Sequence, residues 1–99
     1  MPKHLIIWEG DWNRQPVDYK ERGQAYKQAL AMVKQDIESG LLKDWGKING
    51  QLKGYWIVEG DDMQVGLMAE KYMPFFKFTE IYPVVTFEQA IEFTDIMVK

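Results

Sequence analysis

The stretch LLKDWGKINGQLKGYWIVEGDD, residues 41–62, decides the fold. Two runs of strand-forming residues, 41–48 and 51–59, flank the dipeptide Asn49-Gly50. Asn-Gly between two such runs is the strongest short-range signal for a β-hairpin, because both central residues of a type I′ turn need a positive φ. The second run ends in YWIVE, and its nearly unbroken series of large apolar side chains is typical of a central strand. We therefore predict two adjacent antiparallel strands joined at this dipeptide.

The segment before the hairpin predicts a strand followed by a long helix. Residues 4–9 are a short apolar run that Gly10 closes, which favours a strand over a helix. The helix begins at Asp18, a good N-cap, and ends at Gly40, the residue type that most easily adopts a left-handed conformation after a helix. Its apolar stripe recurs at three- and four-residue spacing and consists of Tyr26, Ala29, Leu30, Val33 and Ile37.

The segment after the hairpin predicts helix, strand and helix. Asp61-Asp62 caps a second helix that Pro74 ends, with Val65, Met68, Ala69 and Tyr72 as its stripe. Residues 75–84 form a fourth strand, and Pro83 near its end suits an edge position because proline donates no ladder hydrogen bond. Thr86 and Gln89 form a capping box ahead of a short C-terminal helix. The stripe of that last helix consists of Ala90, Phe93, Ile96 and Met97.

The order β-α-β-β-α-β-α predicts one α+β domain over residues 1–99. Right-handed crossovers place both long helices on the same face of a four-stranded antiparallel sheet, with strand order 4-1-3-2. This is the ferredoxin-like βαββαβ arrangement with an added C-terminal helix. The chain length fits a single domain.

Composition narrows the classes of partner and cofactor. Twelve Lys and Arg against fifteen Asp and Glu give a net charge of −3, so we expect no nucleic-acid partner. The absence of cysteine excludes disulfides, thiolate nucleophiles and cysteine zinc sites, and the single histidine excludes two-histidine metal motifs. We expect no metal and no cofactor. No apolar run is long enough for a signal peptide or a spanning helix, so we expect a cytoplasmic protein without a membrane partner.

The distribution of apolar residues on the strands predicts a homodimer. Along the first strand, Leu5 and Ile7 face one side while Ile6 and Trp8 face the other. The third and fourth strands are also apolar on both sides, whereas helices can cover only one. We expect the open face to carry two Trp, two Phe and an Ile, a patch that a soluble monomer rarely exposes. A second copy packed sheet to sheet is the simplest cover, although a one-residue register error would exchange the two faces.

The residues of the hairpin and the fourth strand carry a resemblance to a known superfamily. The chain has a first strand ending in WEG (8–10), the junction GYWIVEGDD (54–62), and FKFTEIYPVVTFEQA (76–90). These segments resemble the dimeric α+β barrel superfamily, and more narrowly a family of small bacterial and archaeal domains of unknown function. The resemblance covers nearly the whole chain. It implies the fold and no established activity, because the superfamily includes cofactor-independent monooxygenases, haem-degrading enzymes and muconolactone isomerase-like enzymes.

The aromatic residues on the strands are the candidate ligand-binding residues. We predict that a cavity for a small apolar or aromatic molecule is lined by Trp8, Trp56, Phe76, Phe78 and Tyr82, with Trp12 and Trp45 as further possible walls. The alternative is that these rings form the dimer core and pack against the helices. The indole N–H suits either role, because it can donate to a ligand or to a carbonyl.

Glu80 and His4 are the candidate proton-handling residues. Glu80 alternates with Phe76, Phe78 and Tyr82, so we expect it on their face, where burial by a dimer would make it a candidate acid or base. The alternative places Glu80 at a wet strand rim beside a lysine, and His4 as a polar residue at a strand end. The functional interpretations are therefore a small-molecule-binding protein, a cofactor-independent monooxygenase or isomerase, or a structural or regulatory dimerisation module.

Overall fold

The computed structural model describes residues 2–99 as an α+β fold. All strand pairs are antiparallel. The strand order is β2-β3-β1-β4, which read from the opposite edge is 4-1-3-2 and therefore contains the expected neighbours. Along the chain the elements are β1 (Lys3–Gly10), a 3-10 turn (Trp12–Arg14), α1 (Tyr19–Glu38), β2 (Leu42–Lys47), β3 (Lys53–Glu59), α2 (Asp62–Tyr72), β4 (Phe76–Val84) and α3 (Phe87–Met97).

Side-chain caps begin all three helices where the sequence predicts them. Asp18 accepts the backbone N–H of Glu21 at the start of α1. Reciprocal capping boxes begin α2, through Asp61 and Gln64, and α3, through Thr86 and Gln89. These bonds satisfy backbone N–H groups that a helix leaves free at its first turn, so local chemistry alone sets each start.

The turn at Asn49-Gly50 differs from the predicted type I′. Gly50 has φ +80°, but Asn49 does not have a positive φ. The N–H of Gln51 donates to the carbonyl of Ile48 at 3.0 Å, so Gly50 is the third residue of the turn, as in type II. β3 begins at Lys53, two residues later than the sequence predicts. The connection between β2 and β3 is therefore longer than the expected two-residue loop.

The inward face of α1 is rotated relative to the predicted stripe. Leu30 and Ile37 remain 45% and 48% exposed, whereas Val33 and Asp36 are buried. The physical reason is that the Asp36 carboxylate is held by side chains of α2, so burying this acid turns the predicted stripe partly toward solvent. The stripe of α2, by contrast, is buried as predicted.

A β-bulge in β4 overturns the expected alternation along that strand. Trp8 pairs with Phe78, but the preceding Ile7 pairs with Glu80, so Thr79 is an additional residue without a counterpart on β1. An extra residue in one strand shifts every later side chain to the opposite face. Pro83 lies farther along the same strand, which is at the edge of the sheet as predicted.

The bulge separates residues that the sequence placed together. Phe76 and Phe78 share the helix-covered face with Trp8, whereas Glu80 and Tyr82 share the open face with Ile7. The prediction that Glu80, Tyr82, Phe76 and Phe78 lie on one face is therefore wrong. A periodicity of two cannot reveal an inserted residue, because the inserted Thr79 looks like any other strand residue.

The face that the helices cover is the aromatic one. The core contains Trp8 and Trp56 from the sheet together with residues of α1 and α2, and Phe76 and Phe78 pack against it. The expectation that two Trp and two Phe lie on the open face is therefore wrong. The open face instead carries Leu5, Ile7 and Ile57, all half-buried, with the more exposed Tyr55 and Tyr82 beside them.

The C-terminal helix α3 stands apart from this core. None of its residues is buried, and it makes no extensive contact with another element of residues 2–99. The described chain measures 60 × 25 × 18 Å, which is elongated for its length. No helix within residues 2–99 combines the length and apolar character needed to cross a lipid bilayer.

Candidate functional site

An apolar cleft lies between the sheet and the middle of α1, from Tyr26 to Val33. We call it the α1 cleft, and its inner chamber has a volume of about 60 Å³. Aliphatic side chains from α1 and Leu52 line part of the chamber. Its aromatic walls are Trp8, Tyr26, Trp45, Trp56, Tyr72 and Phe76.

The aromatic rings form two packed groups. The indoles of Trp8 and Trp45 are stacked, with centroids 5.7 Å apart and planes at 19°, and Phe76 meets Trp8 edge-on at 5.4 Å. Trp56 packs against Tyr72 with centroids 4.7 Å apart. Offset stacking and edge-to-face contacts are the favourable arrangements for such rings, so the rings stabilise one another without a ligand.

Backbone features of β2 and β3 make room for these rings. Gly54 lies opposite Trp8, and a Cβ at this position would come within 2.6 Å of Cζ2 of the indole. On β2, a register shift between Leu42 and Asp44 brings Trp45 opposite Trp56, on the covered face. A small residue and a bulge therefore allow three tryptophans to share one face of a small sheet.

The indole N–H groups of Trp8 and Trp56 are buried and have no acceptor in the part of the chain that the structure describes. Trp8 is 3% exposed and Trp56 2% exposed, and neither Nε1 finds a hydrogen-bond partner within residues 2–99. Buried donors are almost always paired in folded proteins, and leaving one unpaired costs about 1–3 kcal/mol. Both indoles line the inner chamber. The two Nε1 atoms are themselves enclosed, so the rings present their apolar surfaces to the chamber, and the unpaired donors lie behind its wall.

A larger outer chamber adjoins the inner one. Its volume is about 270 Å³, and it shares with the inner chamber the residues Tyr26, Ala29, Tyr72 and Phe76. Two cationic residues, Arg14 and Lys71, line the outer chamber together with Gln15 and Gln28. The exposed surface of the inner chamber is thus almost entirely apolar, although Lys47 also lines it, whereas the outer chamber adds two cationic side chains.

A buried carboxylate, Asp36, connects α1 to α2 beside the cleft. Its oxygens accept hydrogen bonds from the Tyr72 hydroxyl at 2.6 Å and from the Lys71 ammonium at 2.5 Å. Burial, the hydrogen bond to Asp36 and the charge of Asp36 all raise the pKa of Tyr72 far above its usual range. Tyr72 therefore remains a neutral donor at every physiological pH, and its hydroxyl is committed to Asp36.

The predicted ligand-binding residues divide between two places. Trp8, Trp56 and Phe76 line the α1 cleft. Phe78 packs against Trp56 with centroids 4.8 Å apart but does not line the cleft. Tyr82 lies on the open face and donates from its hydroxyl to Glu80 at 2.9 Å. The bulge is the reason for this division.

The predicted proton-handling residues both lie outside the α1 cleft. Glu80 is exposed on the open face, where its hydrogen bond raises the pKa of Tyr82. His4 is 8% exposed at the other end of β1, and its Nε2 lies 3.7 Å from a carboxylate oxygen of Asp62. The structure does not bring Glu80, His4 and the aromatic cleft together.

Three polar residues of the cleft region, Asp36, Lys71 and Arg14, were not predicted from the sequence. Asp36 continues the helical spacing of Ala29 and Val33, so it lies on their apolar face of α1. An acid on an apolar face was the signal in the sequence that could have indicated a buried carboxylate. Lys71 and Arg14 carry no such local signal, because they belong to α2 and to the 3-10 turn and come to one chamber only in the folded chain.

Comparison with known proteins yields no relative. No family model, curated protein or solved structure matches the chain.

Proposed function

We propose that this protein binds a small apolar or aromatic molecule that carries a hydrogen-bond acceptor, in the α1 cleft. The observation that carries the proposal is the apolar chamber with aromatic walls, directly behind which the indole N–H groups of Trp8 and Trp56 find no acceptor within residues 2–99. A ligand acceptor that reaches either donor would recover about 1–3 kcal/mol.

The dimensions and walls of the cleft support a ligand of small size. The inner chamber, about 60 Å³, suits a small apolar or aromatic group, and the outer chamber, about 270 Å³, has room and polar partners for the remainder of the molecule. Together the two chambers reach the lower end of the range for ligand pockets, roughly 300–1,000 Å³. Aromatic walls favour a flat ligand, because stacked and edge contacts bury much surface at little cost in side-chain freedom.

Nitrogen–proton correlation spectra test the proposal directly. The chain has four tryptophans, so its spectra contain four indole N–H signals. We expect compounds that raise the melting temperature in a metabolite screen to shift the signals of Trp8 or Trp56. The signal of Trp12, which is 63% exposed and does not line the α1 cleft, should stay in place and serves as the internal control.

Conservative variants provide the second arm of this test. Trp56→Phe keeps an aromatic ring and removes the donor, so we expect the affinity for a confirmed ligand to fall about tenfold or more. Trp12→Phe is the matched control and should leave the affinity unchanged. Stabilising compounds that bind without moving either cleft indole would contradict the proposal.

We also propose that the protein forms a homodimer through the open face of its sheet. The support is the apolar centre of that face, Leu5, Ile7 and Ile57, which the helices leave uncovered. The neighbouring carboxylate of Asp44 accepts a hydrogen bond from Tyr55, just as Glu80 does from Tyr82, which reduces the cost of bringing two such faces together. Two sheets can then pack face to face with two-fold symmetry.

Sedimentation of single-residue variants tests the homodimer. We expect the wild-type chain to sediment at about twice its 11.7 kDa at a concentration near 50 µM. Ile57→Lys places a charge at the centre of the open face and should give monomers at that concentration. Gln24→Lys makes the same change on the exposed side of α1 and is the control. A wild-type chain that sediments as a monomer would overturn the proposal.

A further inference from the structure

We propose that α3 is an arm that packs on a second copy of this chain. This inference builds on the homodimer proposed above and adds a second contact region to it. It is independent of ligand binding in the α1 cleft.

The exposed apolar surface of α3 is the first observation. Phe87 is 76% exposed, Phe93 56%, Ile96 67% and Met97 81%, although all belong to one eleven-residue helix. At 100° per residue, the acidic side chains occupy one arc of the helix and the apolar ones most of the remainder. The acidic residues are Glu88, Glu92 and Asp95.

The helix has no support within its own chain. α3 has a capping box, but a helix of about eleven residues is marginal in water unless its apolar side packs against something. No residue of α3 is buried, and no other element of residues 2–99 contacts it extensively. Another molecule would supply the packing that α3 lacks within residues 2–99.

The exposed area matches what a dimer requires. Six apolar side chains of α3 and its C-cap are about half or more exposed: Phe87, Ile91, Phe93, Ile96, Met97 and Val98. At roughly 100 Å² each they offer about 600 Å² per copy, at the upper end of the largest apolar patch that a typical monomer exposes. Two arms would contribute about 1,200 Å², the lower limit for a stable interface.

A receiving surface exists on the same chain. Tyr82, on the open face near the end of β4, and Val85, just beyond that strand, are each about half exposed. They precede α3 directly in the chain, so the edge of the open face leads into the arm. When arm and receptor belong to the same chain, two copies can satisfy each other with two-fold symmetry and no arm remains free. A second copy is therefore the occupant that the surface fits.

The first experiment measures dimerisation of arm variants. The double variant Phe93→Ser/Ile96→Ser removes exposed apolar groups, so the fold should persist while the dimer dissociation constant rises about 100-fold or more. Glu92→Ser changes the acidic arc of the same helix and is the matched control, with an expected change below about threefold. Circular dichroism verifies that each variant retains its strands and helices.

The second experiment shows whether the contact is between copies. The chain lacks cysteine, so Asp95→Cys provides a single site for a spin label on the acidic arc of α3. We mix the labelled chain with an isotope-labelled chain without the spin label. We expect relaxation enhancement at the amides of Tyr82 and Val85 in the second chain, and none when the double variant carries the label.

The outcomes separate this inference from the proposals before it. If the double variant dimerises like the wild type and the second chain shows no relaxation enhancement, α3 does not pack on a second copy. The sheet-face homodimer would still stand. If the wild-type chain is monomeric, both assembly proposals fall. Ligand-induced shifts of the Trp8 and Trp56 indoles support binding in the cleft under either result.

Discussion

Gly54→Ala should destabilise the fold by about 3 kcal/mol or more, a large part of the stability of a domain of this size. A Cβ at Gly54 would collide with the carbonyl oxygen of Gly46 and come within 2.6 Å of the Trp8 indole. The first neighbour is backbone of the adjacent strand and the second is a ring packed by Trp45, so neither can move aside cheaply. Urea denaturation measures the loss, and an expression failure at this site would point the same way.

A second glycine provides the control for this prediction. Gly23 lies in α1, where a Cβ would meet no atom within 4 Å, and its φ is not positive. Gly23→Ala should therefore stabilise the protein by about 0.5–1 kcal/mol, because alanine loses less backbone entropy in a helix. If Gly54→Ala were tolerated as well as Gly23→Ala, the close approach of β2, β3 and Trp8 would be wrong.

Asp36→Ala should cost about 2–4 kcal/mol of the free energy of unfolding. The change leaves the buried Tyr72 hydroxyl without its acceptor and removes the partner of the half-exposed Lys71 ammonium. The change also removes the side-chain hydrogen bonds that link α1 to α2 beside the cleft. We therefore expect weaker binding of any ligand that occupies both chambers. Thermal and urea denaturation give the stability change.

A double-mutant cycle separates the hydrogen bond from general disruption of the core. Tyr72→Phe keeps the ring against Trp56 and removes only the hydroxyl, so alone it should cost about 1–2 kcal/mol. In the Tyr72→Phe background, Asp36→Ala should cost less than in the wild type, by about 1–2 kcal/mol. Strictly additive effects would show that the two side chains do not act as a pair.

Features that depend on neighbouring residues in the chain were predictable. The helix starts at Asp18, Asp61 and Thr86 depend on hydrogen bonds that span three residues, and the structure contains all of them. The buried stripe of α2 and the edge position of Pro83 follow from helix periodicity and from the missing N–H of proline. Three of the five predicted ligand residues, Trp8, Trp56 and Phe76, also line the observed cleft.

Features that depend on pairing between distant segments were not predictable. The bulge at Thr79 exists only relative to β1, and it moved Glu80 and Tyr82 to the face opposite Phe78. The burial of Asp36 likewise depends on side chains of α2 about 35 residues away in the chain. Periodicity within one segment contains no information about either.

By itself, the sequence determined the kinds of element, their limits to within a few residues, and the surplus of aromatic side chains. These depend on short-range hydrogen bonds, on backbone freedom at glycine and proline, and on residue chemistry. Only the tertiary structure decided which face the tryptophans share and, within residues 2–99, that two indole donors are buried without acceptors and that α3 packs on no other element. The physical reason is that burial and pairing are properties of contacts between segments, and one extra residue in a strand reverses them without altering the local pattern.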